Sequence, residues 1–220
     1  MIVERRQRRR VVGDVGRHDV IRHDVRGAGE TMVIESQQSN DTRPYFGDFD
    51  SAMTALLLGK PLVGMRAADI RRGVDLLVAR AEVDPAKIYG FGKEGGAVPL
   101  LFAATLDERI KKVALEDMLV SYQSITARRI HRQVFEHVVN GALKFYDFPD
   151  LAAALAPRAV WIVNSVDPIG RRVDLAEMKK QYADSISAFR LLETENLIRI
   201  AVRKDQQRIT AFYRDWLGRN

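Results

Sequence analysis

The sequence of 220 residues contains no cysteine and no long hydrophobic segment. The absence of cysteine excludes disulfide bonds, thiol nucleophiles and cysteine-ligated metal sites. No apolar run approaches the roughly 20 residues that span a bilayer, so an integral membrane protein is not expected. The first residues also lack the apolar segment that follows the charged start of a secretory signal. We therefore expect a cytoplasmic protein.

The net charge of +6 is concentrated in one short segment. Residues 1–10 contain five arginines and one glutamate, a net charge of +4, so the other 210 residues carry only +2. A basic run can bind nucleic acid or an anionic surface, but its ordinary interpretation is a solvated arm. We predict a disordered basic arm over residues 1–18 and a single domain over residues 19–220. No specific nucleic-acid partner and no membrane partner are expected.

Short apolar runs alternate with amphipathic helical patterns after the basic arm. The predicted strands are Val20–Val25, Ile88–Phe91, Val113–Leu115, Val160–Asn164 and Leu197–Val202. The predicted helices are Phe49–Leu58, Met65–Ala81, Ala97–Leu106, Asp150–Leu155, Asp174–Phe189 and Gln206–Leu217. Strands separated by helices indicate an α/β fold, a three-layer sandwich with a mostly parallel sheet. The carboxyl ends of parallel strands share one edge, where such folds place their sites.

A glycine-rich turn follows the second predicted strand and permits more than one functional interpretation. In the first, Gly90-Phe91-Gly92-Lys93-Glu94-Gly95 matches the G-x-G-x-x-G fingerprint of dinucleotide-binding domains. The next helix would bind a pyrophosphate at its N-terminus, and Glu116 or Asp117, about 20 residues further on, would meet a ribose. That fingerprint usually opens its domain, whereas 87 residues precede the strand here.

In a second interpretation the same turn is a nucleophile elbow. Such an elbow is a strained strand-to-helix turn that carries the serine of a G-x-S-x-G motif. Gly92-Lys93-Glu94-Gly95-Gly96 fits this frame with Glu94 in the position of the serine. The glycines would allow close packing of the helix and leave the Gly95 N–H able to donate to an oxyanion. In a third interpretation they only form a tight turn.

Several segments, taken in order, resemble acetyl xylan esterase-like α/β-hydrolases. They are DVRGAGET at 24–31, LLLGKPLVGMR at 56–66 followed by Asp69 and Ile70, VDPAKI at 83–88, and the segment 156–168. The resemblance covers roughly residues 19–218. It implies an α/β-hydrolase fold and a Ser–His–Asp triad that hydrolyses a small-molecule carboxyl ester. By position it assigns Glu94 to the nucleophile slot, Asp167 to the triad-acid slot and Gly95 to an oxyanion-donor slot.

The chain departs from this family at the residues that carry the chemistry. The elbow has no serine, and all four histidines precede Asp167, whereas the segment after the last predicted strand reads Arg203-Lys204-Asp205-Gln206. A triad in the family's chain order cannot be assembled. We therefore predict a catalytically degenerate α/β-hydrolase-like protein without cofactor or metal. The alternatives are an active hydrolase with Glu94 as carboxylate nucleophile, a dinucleotide-binding domain, and a non-enzymatic interaction module.

The resemblance also implies further strands before residue 24, one of them between the strands that match Val20–Val25 and Ile88–Phe91. Only Arg10-Val11-Val12 is available, and the seven residues between Val12 and Val20 are too few for a parallel crossover. We expect either direct pairing of the two strands or an open gap in the sheet. A truncated gene, a wrongly assigned start, or a subunit completed by an oligomer or another partner would each explain it.

Several other residues invite a functional interpretation. His131 and His137 lie in a basic stretch and are predicted to occupy a solvated face. Glu116 and Asp117 end a predicted strand and are expected to be ordinary loop-facing carboxylates. Trp161 is predicted to lie in the core, and Trp216 is predicted to anchor the last helix.

Overall fold

The computed structural model describes residues 2–3, 23–28 and 49–218. Within these ranges five strands form one sheet, and the order of the strands in the sheet is their order in the chain. They are β1 (Ile2–Val3), β2 (Tyr89–Lys93), β3 (Lys112–Glu116), β4 (Ala159–Val163) and β5 (Ile198–Ala201). All neighbouring strands pair in parallel. Their carboxyl ends therefore lie at one edge of the sheet.

Helices occupy much of the remaining described chain. They are α1 (Phe49–Leu57), α2 (Leu62–Val78), α3 (Ala97–Leu106), α4 (Tyr122–Thr126), α5 (Phe148–Ala153), α6 (Leu175–Gln181), α7 (Ala183–Leu191) and α8 (Ile209–Gly218). Among the described residues, no helix combines the length and the apolar character needed to cross a bilayer.

The sheet is buried on both faces. Successive residues of a strand point to opposite faces, and in β3 both sets of side chains pack in a core. Val113 and Leu115 of β3 face a large core that includes buried residues of α2, α3 and α7. Ala114, between them, faces a smaller core in which Trp161 of β4 packs with Tyr213 and Trp216 of α8. The predicted α/β sandwich is confirmed, and so are the predicted core position of Trp161 and the predicted anchoring of the last helix by Trp216.

Four of the five predicted strands are confirmed to within two residues at their ends. The prediction for Val20–Val25 is wrong over residues 23–25, which are not extended strand, and residues 20–22 lie outside the described ranges. Val25 owes its apolar character to core packing instead, since it is 2% exposed and its carbonyl accepts a bond from the Ala28 N–H that closes a turn. Its hydrophobicity therefore marks burial without strand pairing.

The neighbour of β2 on the side away from β3 is β1. Its Ile2 is opposite Phe91 and its Val3 is opposite Gly92. From the sequence we expected either direct pairing of β2 with Val20–Val25 or a gap in the sheet at this position. Ile2 and Val3 belong to the predicted basic arm, whereas the candidate Arg10–Val12 and the other residues of that arm lie outside the described residues. Completion of the sheet by a second chain stays a prediction.

The predicted helix Asp174–Phe189 is interrupted. Asp174 caps its start as predicted, because its Oδ1 accepts from the Glu177 N–H at 2.9 Å. The chain leaves helical geometry at Tyr182, between α6 and α7, where ψ is 19°. Tyr182 is fully buried and its hydroxyl donates to the Val120 carbonyl at 3.0 Å. A contact with a distant loop therefore accompanies the break that the helical periodicity hid.

Candidate functional site

The turn between β2 and α3 is a strained strand-to-helix turn. Glu94 directly follows β2 and has a φ of +51°, in the left-handed region that non-glycine residues rarely adopt. Residues Glu94–Gly96 form a short 3-10 turn and α3 begins at Ala97. The Glu94 side chain is half exposed at the carboxyl end of the sheet. This conformation favours the elbow interpretation of the motif.

The glycines of the motif let α3 approach β2 closely. A Cβ added at Gly92 would lie 2.8 Å from Ala97 Cα and 2.9 Å from the Gly96 carbonyl oxygen. One added at Gly90 would lie 2.7 Å from a terminal carbon of Leu100. The spacing of these glycines is thus explained by helix packing, without a bound pyrophosphate.

Three residues with positive φ lie next to one another at the carboxyl edge of the sheet. Glu94, Asp117 and Asn164 each directly follow a strand and have φ values of +51°, +52° and +53°. The last residues of β2, β3 and β4 are aligned across the sheet, so these three residues form a row. Such conformations cost about 1–3 kcal/mol each and cluster at functional sites. The row therefore marks this edge as the candidate site.

Opposite charges alternate along this edge. Lys93 Nζ lies 3.7 Å from Glu94 Oε1 and 3.5 Å from Asp117 Oδ2. Arg172 Nε lies 3.8 Å from Asp117 Oδ1, and Arg172 Nη1 lies 2.5 Å from Asp205 Oδ1. The Glu94 carboxylate thus has an ammonium group beside it where a serine nucleophile would have an imidazole.

The environment of Asp117 favours its protonated form. Burial is the main cause that raises the pKa of the Asp117 carboxyl, and the negative charge of Glu116 adds to it. Lys93 and Arg172 oppose this effect without overcoming it. Asp117 is therefore protonated at a higher pH than an ordinary aspartate.

Glu116 is completely buried and forms the centre of an ion-pair network. Its Oε1 accepts from Arg203 Nε at 2.9 Å and from Arg203 Nη2 at 2.5 Å, and its Oε2 accepts from the Tyr213 hydroxyl at 2.8 Å. The Glu116 hydrogen bond is the main cause that raises the pKa of Arg203, and burial is the main cause that raises the pKa of Tyr213. The prediction of a loop-facing carboxylate is therefore wrong for Glu116, and this side chain is not available to a ribose.

Arg203 occupies the segment after β5, where the resemblance leads one to look for the triad histidine. Its N–H donates to Asn164 Oδ1 at 2.8 Å, and its Nη1 donates to the Gln207 carbonyl at 2.6 Å. The side chain is buried, and its guanidinium group donates to Glu116 and to the Gln207 carbonyl. The sequence gave no local signal that Arg203 belongs to the buried network, because Glu116 lies far from Arg203 and Tyr213 in the chain.

Asp167, in the triad-acid slot, stabilises its own loop. Its Oδ1 accepts from the N–H groups of Ile169 and Arg171 at 3.0 and 2.9 Å. Its Oδ2 lies 3.3 Å from Arg128 Nη2. Among the ion pairs of the described ranges, none joins Asp167 to Glu94 or to a histidine.

The described histidines have other surroundings. His137 is 5% exposed and its Nε2 lies 3.6 Å from Oε1 of Glu136, which is itself buried against Arg66. His131 Nε2 lies 2.9 Å from the Ile125 carbonyl oxygen. The predicted solvated face is therefore wrong for His137, because the turn that carries it packs against α1 and α2. The described residues contain no group of three or more side chains suited to hold a metal ion.

A cavity of about 540 Å³ opens beside Asp167. It is lined by Arg128, Arg129, Ile130, Arg132, Ile169 and Arg171, and we name it the arginine cleft. Three of its arginines belong to the basic stretch after α4, and the fourth comes from the loop after β4. The sequence showed the basic stretch but not that a second loop brings Arg171 to it.

Comparisons with known proteins bear on the fold. No family model matches the sequence. One relative, "Putative hydrolase YtaP" of Bacillus subtilis (strain 168), is 29% identical over 104 residues, which are 47% of this chain and 35% of that protein. A solved structure described as a "putative acetyl xylan esterase", from Bacteroides fragilis NCTC 9343, matches with a TM-score of 0.62 at 21% identity, over 86% of this chain and 47% of that one.

A second group of solved structures agrees with the first. A carbohydrate esterase family 15 glucuronoyl esterase from Caldicellulosiruptor kristjansonii matches with a TM-score of 0.54 at 18% identity, over 71% of this chain and 50% of that one. The chain thus spans about half the length of these esterases and about a third of YtaP. The parallel sheet, the strained turn after β2 and these matches lead to one conclusion: the chain has an α/β-hydrolase-type fold, similar to that of acetyl xylan and glucuronoyl esterases.

Proposed function

We propose that this chain is an α/β-hydrolase-like protein that lacks the chemistry of a serine esterase at two positions. The observation that carries the proposal is that Glu94 and Arg203 are each held in an ion pair at the carboxyl edge of the sheet. Glu94 holds the strained position of the nucleophile beside Lys93, and Arg203 fills the segment after β5 in a buried network with Glu116. A serine esterase needs a hydroxyl at the first position and an imidazole base near it.

The negative charge of Glu94 would also destabilise the transition state of ester hydrolysis. Gly95, the proposed oxyanion donor, is the next residue after Glu94. Two like charges about 4 Å apart repel by about 1 kcal/mol in water and by several times more near a protein surface. An ionised Glu94 would therefore repel the negative charge that an attacked carbonyl oxygen acquires at Gly95.

One observation favours a second candidate function, because the half-exposed Glu94 carboxylate stands where a nucleophile stands. Its attack on an ester would form a mixed anhydride and release an alkoxide, and water would then have to cleave the anhydride with the help of a base. Asp167 is poorly suited to be that base. Its oxygens already accept from Ile169 and Arg171 and lie near Arg128.

The proposed ligands are small carboxyl esters or the acids derived from them, bound without turnover. The structural neighbours are described as a putative acetyl xylan esterase and a glucuronoyl esterase, and the ester class of ligand is carried to the present chain as a proposal. A dinucleotide is disfavoured because Glu116, one of the two acids at the ribose position, is fully buried. A titration with NADH or NADPH followed by cofactor fluorescence is expected to show no saturable binding.

The proposal is tested by the hydrolysis of 4-nitrophenyl acetate by the purified chain. The expected rate equals the buffer rate and is the same for wild type, Glu94→Ala and Glu82→Ala. Glu82 is an exposed glutamate outside the sheet edge and controls for unspecific attack by surface carboxylates. Turnover that disappears in Glu94→Ala but persists in Glu82→Ala would contradict the proposal and support Glu94 as a carboxylate nucleophile.

A further inference from the structure

We propose that the arginine cleft binds a small organic anion through carboxylate or phosphate groups. The cleft contributes four guanidinium groups to one cavity, from Arg128, Arg129, Arg132 and Arg171. None of the described residues that line it carries a carboxylate. A cavity with this surplus of positive charge attracts an anion from solution.

Two of the four guanidinium groups, those of Arg129 and Arg171, have no acidic partner among the described residues. Arg128 forms an ion pair with Asp167, and the Arg128 side of that pair is half exposed. Among the described residues, the guanidinium groups of Arg129 and Arg171 have neither an ion pair nor a hydrogen bond. Since exposed ion pairs contribute little, Arg128 can leave Asp167 for a ligand at small cost.

The two walls of the cleft are held in place by backbone hydrogen bonds. The Arg132 N–H donates to the Pro168 carbonyl at 2.7 Å and joins one wall to the other. The Asp167 N–H donates to the Arg171 carbonyl at 2.8 Å, and the Arg171 N–H donates back to Asp167 Oδ1 at 2.9 Å. A ligand therefore meets a preformed backbone and does not have to order these loops.

The chemistry of the lining selects the class of ligand. A guanidinium group presents a planar fork of donors that matches the two oxygens of a carboxylate or a phosphate. Ile130 and Ile169 add apolar surface. The volume of about 540 Å³ falls within the range of about 300–1,000 Å³ that is usual for small-molecule pockets. An organic anion with several oxygens fits this cavity better than a single inorganic ion does.

Binding is measured by isothermal titration calorimetry on the full chain, with citrate as the carboxylate probe and glucose 6-phosphate as the phosphate probe. Ionic strength is held constant with chloride. We expect saturable binding of at least one probe, and the stronger one identifies the group that the cleft prefers. Because the titration contains no ester, its result is independent of whether the chain hydrolyses esters.

The decisive variant is Arg129→Gln/Arg171→Gln. Hydrogen bonds to charged groups are strong enough that we expect the dissociation constant to rise about tenfold or more. Neither side chain has a bonding partner among the described residues, so the melting temperature is expected to stay near that of wild type. Arg80→Gln, at an exposed arginine outside the cleft, is expected to bind as wild type does.

Three results would overturn the proposal. One is the absence of saturable binding of both probes to wild type. Another is equal weakening in the Arg80→Gln control, which would show only a general effect of charge. The third is cleft-dependent binding of a single-stranded RNA, with steep salt dependence, when neither probe binds.

Discussion

At the scale of single residues, the completely buried Glu116 carboxylate depends on its partners for stability, because it has lost its hydration. Its charge is balanced by the guanidinium of Arg203, and the hydroxyl of Tyr213 donates a hydrogen bond to it. A buried ion pair contributes little net stability, because both charges lose their hydration. Removal of one partner is different, since it leaves the other charge buried and uncompensated.

We therefore expect Arg203→Met to lower the free energy of unfolding by about 3–5 kcal/mol, measured by urea denaturation. The double variant Glu116→Gln/Arg203→Met removes both charges and is expected to recover part of the loss. Arg190→Met breaks an ion pair with Glu195 in which both side chains are exposed, and it is expected to stay near wild type. A loss in Arg203→Met no larger than in Arg190→Met would show that the buried network carries no special cost.

Asp117 leads to a prediction about pH. Burial and the charge of Glu116 raise the pKa of its carboxyl in the folded state, so folding opposes its ionisation. This penalty is absent below the ordinary aspartate pKa and grows as the pH rises through the folded-state pKa. Asp117→Asn keeps a residue type that tolerates positive φ. It is expected to be more stable than wild type at neutral pH, with the advantage shrinking as the pH falls.

Asp107 is the matched control with the opposite sign. Hydrogen bonds from Arg109 are the main cause that lowers the pKa of the Asp107 carboxyl. The stability that it contributes is present above the ordinary aspartate pKa and is lost as the pH falls through the folded-state pKa. Asp107→Asn is expected to be less stable than wild type at neutral pH, with the difference shrinking in acid. Thermal unfolding at several pH values gives both results, and slopes of the same sign would refute the assignment.

At the scale of elements, the β2–α3 turn depends on glycine at position 92. A Cβ there would lie within 2.9 Å of backbone atoms at two positions of the turn and helix, and backbone cannot rotate away as a side chain can. Gly92→Ala is therefore expected to lower the free energy of unfolding by about 1–3 kcal/mol.

Gly64, exposed in α2, is the matched control. A Cβ there would meet its nearest neighbour, Pro61 Cγ, at an ordinary 3.7 Å. Gly64→Ala is expected to raise the free energy of unfolding by about 0.5–1 kcal/mol, because alanine is more stable in a helix than glycine. Urea denaturation compares the two variants. Equal effects would contradict the close approach of α3 to β2.

The same elements show what the sequence can predict. The strand, turn and helix at 88–106 were predicted closely, because their signals are local: an apolar run, spaced glycines and a second apolar run. The break at Tyr182 was missed because its hydroxyl bonds to Val120, far away in the chain. The strand prediction at Val20–Val25 failed at Val25 because burial alone, without strand pairing, explains its apolar side chain.

The candidate site divides in the same way. The sequence predicted that Glu94 and Asp167 follow strands, and the structure places them after β2 and β4; their roles as nucleophile and triad acid stay predictions. The sequence did not show that Glu116 is buried with Arg203 and Tyr213, nor that Arg171 joins the basic stretch in one cleft. Those contacts arise from the order of the strands in the sheet and from packing, and no spacing in the sequence reports them.

At the scale of the whole molecule, parallel strands collect charged loop residues at one edge. Lys93, Asp117 and Arg172 alternate in charge there, while the arginine cleft beside Asp167 has a surplus of positive charge. The fold is similar to that of the esterases, and we propose that Glu94 and Arg203 occupy the positions of the nucleophile and the base in that fold. The central claim is that the loss involves both positions, and not the nucleophile alone.

The measurement that tests this claim most directly is the rate of 4-nitrophenyl acetate hydrolysis by Glu94→Ser. The substitution restores a serine to the strained turn and leaves Arg203 in its network with Glu116. We predict that the variant, like wild type, hydrolyses the ester no faster than buffer, with no initial burst of 4-nitrophenol, because none of the described residues places an imidazole to activate the hydroxyl. A burst followed by turnover above wild type would contradict the account, since it would show that only the nucleophile had been lost.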